Sequence, residues 1–277
     1  TLEANPDSAQ DADTLRRLRA AGFTRISLGM QSADDAELRR IGRVHTHAET
    51  VRAVENVRAA GFDELSLDLI YGLPEQTMER WQANLAAASA LAPAHLSCYG
   101  LKVEEGTPLF ARRGQLRLPD DDAQAEMYLY AVDFLAQQGY EQYEISNFCR
   151  SGREARHNSR YWALEEYLGF GPGAHSDFGG ERFALARDLD AYLADKTVYS
   201  EKSVPSPRER EEERVMLALR TVRGIAADTL PKAAQEVLRR CEAHGLARRS
   251  EGFCALTPRG FLVSNPIIVE ILEAMGL

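Results

Sequence analysis

The stretch Leu18-Arg-Ala-Ala-Gly22-Phe23-Thr-Arg-Ile-Ser-Leu28 returns, 39 residues later, as Val57-Arg-Ala-Ala-Gly61-Phe62-Asp-Glu-Leu-Ser-Leu67. Each copy is an amphipathic helical run stopped by glycine and followed by a short apolar strand, the αβ half of a βαβ unit. A weaker third copy runs from Leu135 through Gly139-Tyr140 into Tyr143-Glu144-Ile145. The pattern also predicts a helix over Glu79 to Leu91 and a strand over Leu96 to Leu101. Helices alternating with short apolar strands predict an α/β protein with a parallel sheet, doubly wound or barrel-like.

In such sheets ligands bind at the carboxyl ends of the strands. Glu3 and Asn5 follow Thr1-Leu2, Gln31-Ser32 follow Ile26 to Met30, and Asp68 lies within Leu65 to Tyr71. The 39-residue offset aligns Asp68 with Gly29, which shares a strand face with Gln31. Both side chains are therefore expected on one face of the sheet. Each alone would serve as a strand-end cap for the next helix; as a set they predict a ligand site.

The 277 residues suit two domains, and the content, 44% apolar and 27% charged, is that of an ordinary soluble protein. No run approaches the roughly 20 apolar residues that cross a bilayer. No signal peptide is read, and the start at Thr1 leaves room for residues upstream. A net charge of −9 argues against a nucleic-acid partner, which needs clustered Lys and Arg. Asp120-Asp121-Asp122 reads as a helix start or solvated face. Cys98, Cys149, Cys241 and Cys254 are scattered, with neither zinc nor iron–sulfur spacing. Three of the four read as buried hydrophobes, and the compartment as reducing, the cytoplasm.

Pro205 and Pro207 predict a linker. Beyond it, helices over Glu209 to Thr221 and Lys232 to His244, a hairpin within Gly245 to Gly260 and a helix over Phe261 to Met275 make a winged-helix pattern. Its balanced charge favours a lid or docking module over a DNA reader.

Of six histidines, His95 and His244 are expected to be structural, while His45 and His47 are placed to shape a ligand pocket beside Arg43. His157-Asn158-Ser-Arg-Tyr161-Trp162 and the glycine-broken Gly169-Phe-Gly-Pro-Gly173-Ala-His175 offer two imidazoles beside flat aromatic rings, which suits a porphyrin. The same hexapeptide would also lock a buried turn, with His157 donating to a backbone carbonyl. Cys149 is a third candidate ligand.

These residues resemble a known family. Glu3 in Thr-Leu-Glu-Ala-Asn-Pro, Gln31 in Ser-Leu-Gly-Met-Gln-Ser, Arg43 in Ile-Gly-Arg-Val-His and Asp68 in Leu-Asp-Leu-Ile-Tyr-Gly-Leu-Pro are similar to the radical-SAM proteins of the oxygen-independent coproporphyrinogen III oxidase group. The His157-Asn158-x-x-Tyr161-Trp162 and Gly-Pro-Gly-Ala-His175 motifs resemble its haem-chaperone (HemW-type) branch. The resemblance covers nearly the whole chain. It implies a partial TIM-like parallel barrel over 1–118, an extension carrying both motifs over 119–204 and a mainly helical winged-helix-like domain over 205–277. It implies contacts to S-adenosylmethionine (SAM) from Glu3, Gln31, Arg43 and Asp68. It also implies haem contacts from His157, Asn158, Tyr161, Trp162 and His175, with His157 and His175 as candidate iron ligands. By itself, Arg43 would equally read as a surface helix residue in a salt bridge. The implied function is delivery of haem to client haemoproteins such as respiratory enzymes; the alternative is a coproporphyrinogen oxidase of tetrapyrrole biosynthesis. The family's 4Fe-4S motif, Cys-x-x-x-Cys-x-x-Cys, is not in this sequence. The chain therefore reads as starting at the third barrel strand, with an exposed sheet edge, and these residues alone are expected not to cleave SAM.

Overall fold

A computed structural model describes all 277 residues, which fall into two compact units, 1–154 and 155–277. In the first unit, strands β1 (Leu2–Ala4), β2 (Arg25–Gln31), β3 (Glu64–Tyr71) and β4 (His95–Gly100) lie side by side and parallel. They alternate with helices α1 (Ala12–Ala20), α2 (Asp35–Arg40), α3 (His47–Ala59) and α4 (Met78–Ala90). The repeat is thus realised as predicted, each helix ending at Gly22 or Gly61 with a positive φ that glycine adopts without strain. The sheet is a partial barrel that does not close on itself.

The third copy of the repeat departs from expectation. After α5 (Pro108–Ala111) and α6 (Asp121–Gln137), β5 is Glu141–Gln142, and the chain then turns back as β6 (Asn147–Cys149). Strand β6 inserts antiparallel between β4 and β5. Tyr143-Glu144-Ile145, expected as strand, forms the turn of that hairpin, closed by the Tyr143 amide donating to the Asn147 carbonyl at 3.2 Å. Residues 119–154 therefore pack with the barrel strands rather than with the segment that follows. Asp120 caps α6 by accepting from the Ala123 amide, so the acidic run is a helix start.

Alternation in the strands sorts the two faces. Ile26, Leu28, Leu65, Leu67, Leu69, Leu96, Cys98 and Phe148 are buried in an apolar core with residues of α3, α4 and α6. The opposite, inner face carries Glu3, Ser27, Ser66, Asp68, His95, Ser97, Tyr99 and Asn147. Neighbouring registers align Asp68 with Ser97 and Ser97 with Asn147. A barrel interior is ordinarily filled by branched apolar side chains; this one is polar, as a ligand-facing surface would be.

The second unit begins with α7 (Arg156–Trp162), then an antiparallel sheet of β7 (His175–Phe178), β8 (Glu181–Leu185) and β9 (Tyr199–Ser203), with α8 (Leu189–Leu193) between the last two. Next come α9 (Pro207–Ala218), β10 (Ile225–Ala226), α10 (Lys232–Ala243), the hairpin β11 (Ala247–Ser250) and β12 (Phe253–Leu256), then α11 (Pro258–Leu262) and α12 (Ser264–Met275). This is the helix, helix, wing order expected, with two corrections. The predicted last helix is broken at Val263, whose φ of −118° and ψ of 27° leave the α region. Pro207 is no linker but the first residue of α9, where a missing N–H costs nothing, behind a Ser206–Glu209 capping box. Segments 155–204 and 205–277 belong to one unit, joined by the charge network described below.

Candidate functional site

In the first unit the four residues expected to contact SAM all lie toward the carboxyl ends of the parallel strands, but one arrives by an unexpected route. Parity would pair Gln31 with Ile70; instead the register shifts and Gln31 pairs with Leu69. Gln31 takes a left-handed backbone, φ 61°, and its amide folds back so that Nε2 lies 2.7 Å from where a Cβ on Gly29 would stand. Gly29 thus clears the space the Gln31 amide occupies, with the Asn5 side chain also close by. Arg43 lies in the loop after Gly42 rather than on a helix. It forms no salt bridge, its Nη1 donating to Asn5 Oδ1 at 2.7 Å. Glu3 is exposed on the edge strand. Ser27 Oγ lies 3.1 Å from both Asp68 carboxylate oxygens, and Ser97 adds a further hydrogen bond. Burial, with a smaller contribution from the Glu3 charge, raises the Asp68 pKa against those hydrogen bonds.

The loops around this face are fixed from behind by Glu37, a fully buried carboxylate on α2. Its Oε2 accepts from Ser32 Oγ at 2.6 Å, Asn84 Nδ2 at 2.8 Å and Gln76 Nε2 at 3.2 Å. Gln76 Oε1 in turn accepts from the Gly72 amide at 2.8 Å, which ties the loop after β3 to the loop after β2. His45 lies deep, 3.3 Å from the Met30 carbonyl, and so holds the end of β2 rather than lining a pocket. His95 is structural, as expected, between Ser66 Oγ and the Tyr143 hydroxyl, 2.8 Å from each. Burial drives its pKa down to about 3, which keeps the ring neutral.

Glu144 is a site candidate that no motif marks. It is 1% exposed, hydrogen-bonded to Asn147, and keeps one oxygen, Oε1, without a partner, as does Asn147 Oδ1. Burial, opposed only by neutral hydrogen bonds, pushes its pKa up to about 7. Asn147 also bonds the Tyr99 hydroxyl, which reaches Ser97 and so Asp68. The available signal was a lone acid in the aromatic and aliphatic run Tyr143-Glu144-Ile145.

In the second unit, α7 does not form a buried turn. His157, Asn158 and Tyr161 are exposed and Trp162 is half-buried. The His157 ring meets Tyr161 edge-on at 4.8 Å, with Nε2 2.6 Å from the hydroxyl, so it bonds a side chain rather than a backbone carbonyl. Tyr161 in turn packs edge-on against Tyr167 at 4.6 Å. A cavity of about 680 Å³ is lined by Tyr161, Tyr167, Phe170, His175, Met216 and Leu217 among others. That is within the roughly 300–1,000 Å³ of small-molecule and cofactor pockets. The structure thus brings Tyr161 and His175 to one cavity and leaves His157, Asn158 and Trp162 off its lining.

The far wall of this cavity is ionic. Asp177, 7% exposed, accepts from Arg210 Nη2 at 2.6 Å and Arg182 Nη2 at 2.8 Å, and Arg182 also holds Glu213 at 2.9 Å. The Arg210 and Arg182 hydrogen bonds hold the Asp177 pKa down at about 2 against desolvation. This network ties the β7–β8 hairpin to α9.

The four cysteines are buried and unpaired. Burial raises each thiol, Cys149 to about 11, so none resembles a ready thiolate ligand. No three His, Cys, Asp or Glu residues converge as a metal-binding group. The residues present therefore do not fit a 4Fe-4S cluster, whereas the inner face, with acceptors at Glu3 and Asp68, the Gln31 amide and the Arg43 guanidinium, fits the hydroxyl and amino-acid ends of SAM.

The half-open parallel sheet with a polar strand-end face is that of the radical-SAM class, and the profile of the radical SAM superfamily matches residues 1–88. The chain belongs to the HemW family. It is 35% identical to heme chaperone HemW of Bacillus subtilis over 98% of its own length and 75% of that protein's. It is 40% identical to heme chaperone HemW of Haemophilus influenzae over 74% of its length, spanning 54% of that relative. Coproporphyrinogen III oxidase (HemN) of Escherichia coli has the same fold, at a TM-score of 0.77 and 22% identity, over 99% of this chain and 68% of that one. No helix is long and apolar enough to cross a membrane.

Proposed function

We propose that this protein binds haem and passes it to client haemoproteins, respiratory enzymes among them, in the cytoplasm, from a radical-SAM scaffold that holds SAM. The observation that carries the reading is that the two neighbouring family motifs meet at one aromatic cavity through Tyr161 and His175. Tyr167, Phe170, Met216 and Leu217 offer an apolar bed for a macrocycle, while Arg182 is already paired with Asp177 and Glu213. With no spare cation inside, the carboxylates of haem would face solvent. On the barrel side, Arg43 would clamp the SAM carboxylate and Glu3 and Asp68 would take its hydroxyl or ammonium protons. SAM held there would supply a sulfonium group.

The test is a titration of the protein with hemin, followed by absorption, in parent and Leu217→Trp forms. Saturable binding in the parent, weakened at least tenfold when the added indole fills the cavity, supports the reading. Hemin-loaded protein mixed with apomyoglobin should then lose its haem to the acceptor. Non-saturable uptake, or uptake indifferent to Leu217→Trp, would remove the cavity from the account.

A further inference from the structure

We infer that Glu144 is a positioning residue for the SAM face: through Asn147, Tyr99 and Ser97 it fixes how Asp68 meets its ligand. The inference rests on the SAM reading above and extends a site drawn from β1, β2 and β3 to the β5–β6 hairpin. Strand register places Asp68, Ser97 and Asn147 in one row across β3, β4 and β6. Tyr99, two residues beyond Ser97 on β4, belongs to the same face. Side-chain hydrogen bonds join Asp68 to Ser97, Ser97 to Tyr99, Tyr99 to Asn147 and Asn147 to Glu144.

The unpartnered oxygens give this row its direction. Asn147 Oδ1 has no partner, so Nδ2 makes both side-chain bonds, one proton going to Glu144 and one to the Tyr99 oxygen. Tyr99 accepts there and passes its own proton to Ser97, and Ser97 passes its proton to the Asp68 carboxylate. Reversal needs only that the Asn147 amide turn over, which would give Oδ1 a donor from Tyr99. Ser97 would then donate back to the Tyr99 oxygen, and Asp68 would keep Ser27 as its one serine donor. Glu144 forbids that turn, because it would set Oδ1 against a carboxyl oxygen. The carboxyl is itself anchored by the backbone amides of Ile145, Ser146 and Asn147 in the hairpin turn. A proton taken up by Glu144 goes to the unpartnered Oε1, which leaves Oε2 an acceptor. An orphaned Oδ1 is a cost that the turned amide would relieve, so the row holds its direction only while Glu144 outweighs that cost. Asp68, held by Ser27 and Ser97 together, then presents a fixed carboxylate to a ligand hydroxyl or ammonium.

The deciding experiment is calorimetric titration of the whole chain with SAM in a double-mutant cycle. Glu144→Leu removes the lock and Tyr99→Phe cuts the row. Each should weaken SAM binding roughly three- to tenfold, the worth of one hydrogen bond. The two losses should not add, because a row already cut has nothing left to transmit. Glu144→Gln, which can still accept from Asn147, should keep most of the parent affinity, and thermal melts show that each variant is folded. If the leucine variant does not fold, Asn147→Ala with Tyr99→Phe completes the same cycle. Independent packing roles predict the opposite, additive losses without rescue by glutamine. Additive losses, or parent affinity in Tyr99→Phe, would overturn the assignment while leaving SAM binding intact. A parent that takes up no SAM saturably would instead bring down the SAM reading itself.

Discussion

Asp177 in the second unit and Glu144 in the first are both carboxyl groups buried beside a candidate site, and they are treated in opposite ways. Asp177 in the second unit is held by two guanidinium groups and ionises far below the usual range, at about 2. Glu144 in the first is held by neutral groups, keeps an unpartnered oxygen and titrates at about 7. The contrast separates scaffold from surface awaiting a ligand. A saturated ion network costs its desolvation once and then resists rearrangement. An unsaturated polar face costs free energy in the empty protein and recovers it when a ligand supplies the missing donors.

The largest effect is expected at the closed network. Asp177→Asn removes the closest anion that Arg182 and Arg210 share and leaves Glu213 as their carboxylate partner, a loss that costs about 3 kcal/mol. Denaturant unfolding should show the second unit losing stability while the midpoint of the first stays put. Because the folded pKa of Asp177 is depressed, its stabilisation is present above about 3.8 and lost as pH falls toward about 2. Equal loss in both units would mean that the network is not local.

Glu144 predicts the opposite limb. Its folded pKa lies above the ordinary 4.5, so the stability it allows is complete below that value and declines as pH rises to about 7. Glu144→Gln, which stays neutral, should flatten that decline and exceed the parent by up to about 3 kcal/mol above pH 7. Urea unfolding between pH 4.5 and 8 reads the difference directly. Parallel curves for the two proteins would show that Glu144 is ionised in the folded state and that the contrast with Asp177 is wrong.

The same contrast explains what could be read in advance. The αβ repeat, the glycine stops and the strand-end set Glu3, Gln31 and Asp68 were legible because they rest on local periodicity and on the rule that parallel sheets bind ligands at their carboxyl ends. The hairpin that inserts β6 beside β4 was not, because β5 is only two residues long and its pairing partner is chosen by tertiary contact. Glu37 looked like any acid in the first turn of a helix; its burial depends on Ser32, Gln76 and Asn84 arriving from three other segments. The His157–Tyr161 spacing was visible, but not which of the two faces a cavity, since that depends on where α9 brings Met216 and Leu217.

A smaller effect tests whether α9 transmits order to the closed network. Ser206 accepts from the Glu209 amide and Glu209 reaches back to the Ser206 amide, one turn ahead of Arg210. Ser206→Ala should cost about 1 kcal/mol, the ordinary worth of an N-cap. If the cap also steadies Arg210, Ser206→Ala and Asp177→Asn will be non-additive in a double-mutant cycle. Strict additivity would make the cap independent of the network.

The smallest change in stability should come at Gly29, where it would nonetheless be the most telling for the open face. An added methyl meets the Gln31 amide at 2.7 Å, the far end of a flexible side chain, with Asn5 Oδ1 at 3.6 Å. Gln31 can swing aside, so Gly29→Ala should alter stability by less than about 1 kcal/mol. What it cannot do is leave that amide where it was, while the Asn5 oxygen that anchors Arg43 stays in ordinary contact. Calorimetric titration with SAM should therefore show weaker binding in Gly29→Ala than in the parent, with an unchanged melting curve. Retained affinity would mean that Gln31 reaches no ligand from its left-handed turn, and that the strained residue serves only to end the strand.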